Sequence, residues 1–403
     1  MKYVVVQGDG MADEAVPELN GKTPLEVART PNLDHMASRG ILGLTRTIPS
    51  GMTAGSDVGT MSVLGYDPRH HASGHAPLEA ASVGVELGPQ DVAFRVNLVT
   101  LETPEGGVEV MRDFAAGHPA TAEAQELVKD LNAALGREGL EFHAGTGYRH
   151  LLVWRRGEDR MRTTPPHDLS DKPVAGGFPD GPGAEVLREL ITRSRTFFAE
   201  HPLCRGRLTR GERAANAIWI WGQGRRIALP TLRERFGVDG SVVAAVDLVN
   251  GLGLLAGLRR VTVPGGTGQL DTNFRGKTDY GLAALADRDF LFIHVEAADE
   301  SAHMGDAHKK VEAIERFDAE TVGPLLEGLR QMGDEWRMLV MPDHPALCTT
   351  KMHTAEPVPF VVYVSGDEKK TQGVSRGYCE KDARDQGIFI PEAHTLLERL
   401  LRR

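Results

Sequence analysis

Cysteine is scarce in this 403-residue chain, with only Cys204, Cys348 and Cys379, odd in number and far apart. That spacing excludes a disulfide framework and any paired-cysteine zinc motif. Basic charge is also short: 46 Lys and Arg stand against 56 Asp and Glu, a formal net charge of −10. A general nucleic-acid binder needs a basic face, so no nucleic-acid partner is expected. A local group of cations can still hold a small anion against an acidic background. No run of about 18 apolar residues occurs, and the start Met1-Lys2-Tyr3-Val4-Val5-Val6 has no long apolar stretch. The expectation is a reduced, cytoplasmic protein with no membrane partner. Gly8-Asp9-Gly10 lacks the third glycine of a dinucleotide loop, because Asp13 stands in its place. No Gly-x-Ser-x-Gly elbow surrounds Ser56, which argues against acyl-transfer chemistry of the hydrolase type.

What the chain does have is acid and histidine at the ends of apolar runs. Asp9 follows Val4-Val5-Val6-Gln7-Gly8, Asp299-x-x-x-His303 follows Phe290-Leu291-Phe292-Ile293-His294-Val295, and Asp343-His344 follows Met338-Leu339-Val340-Met341, with His353 soon after. Short apolar runs bounded by polar turns read as buried strands of a parallel sheet, and ligands of such sheets gather at the carboxyl ends of strands. On a helical turn Asp299 and His303 share one face, about 6 Å apart at Cβ. Mixed carboxylate and imidazole donors suit Mn, Zn, Co or Fe and, with less imidazole, Mg. The three clusters together predict a two-metal site.

The texture of the chain changes in its middle. Residues 92–222 hold two strand-like runs, Val92–Leu98 and Leu151–Trp154, a helix pattern over Thr121–Arg137, a five-proline turn-rich stretch from Pro165 to Gly183, and a helix near Ala184–Glu200. An inserted α+β domain is expected there, interrupting a discontinuous metal-binding domain made of residues 1–91 and 223–403. In the outer parts, helices are predicted to start at Thr30-Pro31 and to run over Ser56–Leu64 and Val242–Leu255, with a strand at Arg260–Val263.

Ser56 lies where the loop Thr53-Ala54-Gly55 enters a helix. As a plain helix cap it would hydrogen-bond a backbone amide. As a nucleophile it would use the free amides and dipole of the helix start, which favour an anion, and a nearby metal that lowers its hydroxyl pKa.

The ordered set of motifs resembles the archaeal-type 2,3-bisphosphoglycerate-independent phosphoglycerate mutases of the alkaline phosphatase superfamily. Besides the clusters above it includes Leu64-Gly65-Tyr66-Asp67-Pro68, Pro77-Leu78-Glu79-Ala80-Ala81, Ala116-Gly117-His118, Tyr148-Arg149-His150 and Trp221-Gly222-Gln223-Gly224. Two runs, Gly51-Met52-Thr53-Ala54 and Ala72-Ser73-Gly74-His75, lack the arginines usual there in the family. The resemblance implies an alkaline-phosphatase-like α/β fold, with a mixed, mostly parallel sheet flanked by helices. It also implies interconversion of 3-phosphoglycerate and 2-phosphoglycerate through a phosphoserine on Ser56, with two divalent ions (Mn, Mg, Co or Zn) and no bisphosphoglycerate. One ion would be held by Asp299, His303 and His353, the other by Asp9, Ser56, Asp343 and His344. The substrate is a small phosphorylated anion, and His118, Arg95, Arg149 and Lys277 are the cations expected around it, with Arg95 and Arg149 equally suited to ordinary ion pairs. The inserted domain would cover the substrate. The same site could alternatively serve a metal-dependent phosphatase or a homoserine-kinase-like phosphotransferase.

Overall fold

The computed structural model describes residues 1–72, 74–367 and 376–402, so Ser73 of the Ala72–His75 run lies outside it. The chain forms two compact units, Met1–Ala72 with Ala228–Arg403, and Ser73–Ile227. The first crossing comes earlier than the expected 91. Helix Ala76–Ser82 packs on strands Val92–Glu102, Arg149–Trp154 and Ala217–Arg225, where Ala76 and Ala80 cluster with Ala93 and Leu151. The second crossing follows strand Ala217–Arg225, which pairs with Val92–Glu102 as far as Arg225.

The first unit is built on an eight-stranded sheet. From edge to edge the strands are Phe389–Ile390, Ile41–Thr45, Val358–Val364, Trp336–Met341, Lys2–Gly8, Phe290–Val295, Gly240–Val243 and Arg259–Arg260. Among the described residues, Val358–Val364 alone runs against the others. The three central strands carry no polar alternation because both faces are covered. Val4, Val6, Leu291, Ile293, Met338 and Val340 join the core with Phe274, Phe317, Leu325 and Leu329 from the helical side. Val5, Phe292 and Leu339 point the other way and are equally buried. Helices Asp247–Leu255 and His394–Leu401 lie against the sheet, and helix Ser56–Val63 packs on both.

Two expectations fail in this unit. Val242–Leu255 is not one helix: Gly240–Val243 is a strand paired in parallel with Phe290–Ile293, and the helix begins at Asp247. The strand expected at Arg260–Val263 is only the pair Arg259–Arg260. Helix Pro31–Arg39 starts as expected with proline in its first turn, yet Thr30 does not cap it; the Thr30 hydroxyl donates to Asp34 instead.

In the second unit, strand Val92–Glu102 pairs antiparallel with Val110–Asp113, Arg149–Trp154 and Ala217–Arg225, and Arg149–Trp154 pairs with Leu140–Thr146. Helices Thr121–Leu135 and Ala184–Glu200 bury Leu127, Leu131, Leu187 and Ile191 against Phe94, Leu98 and Ile218. No helix among the described residues is long and apolar enough to cross a membrane.

Candidate active site

Parallel pairing places three acid-bearing strand ends side by side. Lys2–Gly8 lies between Phe290–Val295 and Trp336–Met341, in a register that sets Gly8 opposite Val295 and Gln7 opposite Met341. Asp9 therefore leaves its strand where the neighbours end, its amide donating to the Val295 carbonyl at 2.8 Å. Helix Ala297–Met304 begins directly after and presents Asp299 and His303 one turn apart, with 3.2 Å between His303 Nε2 and Asp299 Oδ2. The hairpin Ala346–Leu347 with Met352–His353 folds His353 back, 3.1 Å from Asp299 Oδ1 and stacked on the His344 ring at 4.0 Å. His344 Nε2 lies 3.3 Å from Asp343 Oδ2 and 3.5 Å from Asp9 Oδ1. All six metal-type residues read from the sequence thus converge within the first unit.

Ser56 arrives from the far side. Gly55, not Ser56, occupies the cap of helix Ser56–Val63, and the Ser56 hydroxyl lies 3.3 Å from His344 Nε2. Two buried features hold this helix close. Gln7 Nε2 donates to Thr60 Oγ1 at 2.8 Å, tying it to the central strand. One turn after Ser56, a Cβ on Gly59 would stand 2.6 Å from the Asp343 carbonyl oxygen, so only glycine permits this approach. Gly10 plays a similar part in the Asp9 loop. It has φ +61°, and a Cβ there would meet Asp299 Oδ1 at 2.6 Å.

The site is a concentration of buried negative charge. Burial, reinforced by Asp343, Asp299 and Glu296, pushes the Asp9 carboxyl well above its usual range. Burial acts the same way on Asp299, but hydrogen bonds from His303 and His353 outweigh it and hold that carboxyl well below its usual range. The Asp299 hydrogen bond raises His303 to about 9, and burial lowers His344. Asp9 Oδ1 and Asp343 Oδ2 are buried without a hydrogen-bond partner. Oxygens in that state call for a cation. The donor atoms of Asp299, His344 and His353, and those of Asp9, Asp343 and His344, lie within 4.8 Å of one another. A carboxylate–imidazole set with unsatisfied buried oxygens fits divalent metal.

His294 was not singled out as a functional residue from the sequence. It is the polar member of the strand Phe290–Val295, wholly buried, with Nε2 2.8 Å from Asp9 Oδ2. Burial lowers it to about 3, which keeps the ring neutral. The signal was there: a histidine inside an otherwise apolar strand needs a partner.

The four expected substrate cations fall in different places. Lys277 is buried in the first unit, its Nζ donating to the His294 carbonyl at 3.0 Å, and burial lowers it to about 8. The others belong to the second unit. Arg95 is 2.9 Å from Glu79 and lies over the Trp221 ring, the ordinary ion pair foreseen for it. Arg149 lies over Tyr148, which the His118 ring meets edge-on at 5.5 Å. His118 has φ +49°, as does Ala116, in a turn that leads to an open cavity of about 790 Å³ shared with Arg207, Arg210 and Arg213.

The chain is similar to known proteins along its whole length. Residues 37–204 match the family model of 2,3-bisphosphoglycerate-independent phosphoglycerate mutase. A probable 2,3-bisphosphoglycerate-independent phosphoglycerate mutase of Geobacter sulfurreducens is 48% identical over 403 residues, all of both chains. 2,3-Bisphosphoglycerate-independent phosphoglycerate mutase 2 of Methanothermobacter thermautotrophicus is 45% identical over 400 residues, 99% of this chain and 96% of the relative. Among solved structures, a protein of Pyrococcus horikoshii superposes with a TM-score of 0.81 at 28% identity, covering 99% of this chain and 96% of the other. The cofactor-independent phosphoglycerate mutase of Thermoplasma acidophilum gives a TM-score of 0.64 at 25% identity, covering 100% and 99%.

Proposed function

The chain belongs to the family of 2,3-bisphosphoglycerate-independent phosphoglycerate mutases, and from that membership we propose that it interconverts 3-phosphoglycerate and 2-phosphoglycerate with Ser56 as nucleophile. The observation that carries the assignment of Ser56 is its position: released from the cap, with its hydroxyl beside His344, which itself lies against Asp9 and Asp343.

In the proposed reaction Ser56 Oγ bonds to phosphorus as the bond from phosphorus to the substrate's 3-oxygen breaks. The hydroxyl proton lost by serine is matched by the one gained at the 3-oxygen. The 2-hydroxyl then takes the phosphoryl group from phosphoserine, and serine regains its proton. Asp299, His303 and His353 would hold one divalent ion, and Asp9, Ser56, Asp343 and His344 the other; Mn, Mg, Co and Zn all suit these donors. When bound, such ions lower the serine hydroxyl's pKa and neutralise charge on the transferring oxygens. The chain's own contribution is orientation. The first amides of helix Ser56–Val63 favour the phosphoryl anion, and His294 fixes the Asp9 carboxylate.

Glycerate must stay in place between the two transfers while water is excluded. In the same reading the second unit has the covering role, and His118, Arg149 and Arg95, the last already paired with Glu79, are its candidate substrate-binding cations. Lys277 holds the carbonyl of His294, the residue whose ring meets Asp9. A cytoplasmic setting belongs to the same reading.

The test is to supply 3-phosphoglycerate and metal without bisphosphoglycerate, and to measure 2-phosphoglycerate and free phosphate together. Stoichiometric 2-phosphoglycerate with negligible phosphate is the expected result. Phosphate release as the main outcome would replace the mutase by a phosphatase.

A further inference from the structure

Lys310 lies outside the ligand set, yet it is among the most completely buried side chains of the protein. A buried ammonium is tolerated only when its three protons are all used. Here they go to the Ala12 carbonyl at 3.0 Å, to Asp13 Oδ2 at 2.8 Å and to the Ala346 carbonyl. Ala12 is three residues beyond Asp9 and Ala346 two beyond His344. Lys310 itself sits on helix Ala307–Arg316, which follows the Asp299–His303 helix after Gly305 and Asp306. A single ammonium therefore joins all three segments that carry the metal-type residues.

The surrounding bonds extend the junction. The Ala346 amide donates to the Ala12 carbonyl at 3.0 Å, and the Cys348 amide donates to Asp13 Oδ2 at 3.2 Å. The Asp13 amide donates to buried Glu380, which also accepts from Thr23. Asp13, the residue that breaks the dinucleotide-loop pattern, thus has a structural partner of its own.

We propose that Lys310, through Asp13, is a positioning residue that sets the spacing of the metal-ligand loops before any metal arrives. This rests on the metal-site reading above. Groups behind metal ligands typically change metal affinity about 10–100-fold when removed. An ion pair that serves the fold alone would leave the affinity of the folded protein unchanged.

Removing the lysine alone would leave Asp13 charged and unpaired in the interior, which can unfold the protein. The informative variant is the double substitution Lys310→Met with Asp13→Asn, which removes both charges. The experiment titrates Mn into metal-free wild type and double variant by calorimetry, with melting temperature and kcat at saturating Mn measured alongside. Wild type that takes up no Mn would refute the metal-site reading itself. With wild type binding, a folded double variant that binds at least 10-fold more weakly supports the proposal, and equal affinity with equal kcat overturns it.

A second measurement uses wild type only and so does not depend on the variant folding. Hydrogen exchange at the Ala346 and Cys348 amides is followed before and after Mn is added. Protection already present without Mn is the expected result. Protection that appears only with Mn would show that the metal, not Lys310, sets the loops, and would overturn the proposal.

Discussion

Ser56 occupies a position that asks little of it structurally. Its predecessor Gly55 takes the cap, and alanine is a better helix former than serine by only a few tenths of a kcal/mol. Ser56→Ala is therefore expected to change stability by less than about 1 kcal/mol while 2-phosphoglycerate formation is lost; a melting curve and a coupled assay check both halves. His294 is expected to behave differently. His294→Phe removes the hydrogen-bond partner of Asp9 Oδ2, and Mn affinity should fall about 10–100-fold, as read by calorimetry; unchanged affinity would remove His294 from the site. The residues visible in the sequence were those whose chemistry shows locally, an acid or a histidine at the end of an apolar run. His294 shows in the sequence only as a polar break in an apolar strand, and Lys310 not at all, because their partners lie 285 and nearly 300 positions away in the chain.

At the scale of elements, the site depends on how near the helix Ser56–Val63 can come to the Asp343 turn. Gly59→Ala puts a methyl 2.6 Å from the Asp343 carbonyl oxygen, so either the helix or the turn must retreat. Overpacking of this kind costs roughly 1–3 kcal/mol, and displacement of Ser56 should lower kcat more than it raises KM. Denaturant melts and steady-state kinetics test the two effects separately. Elements with a clear period were legible: Ala184–Glu200 is helical over the whole expected span, and Thr121–Leu135 stops two residues short of the expected end. The strand Gly240–Val243 was merged with the following helix because its apolar residues run on toward Leu248 and Val249. Only pairing with Phe290–Ile293 separates them. The boundary near 73 was hidden for a related reason, since helix Ala76–Ser82 shows its allegiance through contacts with distant strands.

The whole molecule joins two units with separate cores, and in the second unit one buried group ties stability to pH. His150, in the second unit, is buried with Nδ1 accepting from the Gly145 amide, and burial lowers it to about 4. The unfolded chain takes up this proton near pH 6.5 while the native state refuses it down to about 4. Stability from this group is thus complete above about 6.5 and declines as pH falls toward 4, by up to about 3 kcal/mol. Hydrogen exchange of the Val92–Glu102 strand at pH 7 and below 5 should show the loss. His150→Asn, which keeps an acceptor near Nδ1, should flatten it.

The central claim is that phosphoryl transfer passes through Ser56, and its most direct measurement is rapid-quench peptide mass spectrometry of the Mn-loaded wild type turning over 3-phosphoglycerate. A phosphate that appears on the Ser56 peptide within one turnover, disappears as substrate reaches equilibrium and is absent after chelation is the predicted result. Full-rate isomerisation with that peptide unmodified at every time point, or a Ser56→Ala protein retaining a tenth of normal turnover, would contradict it.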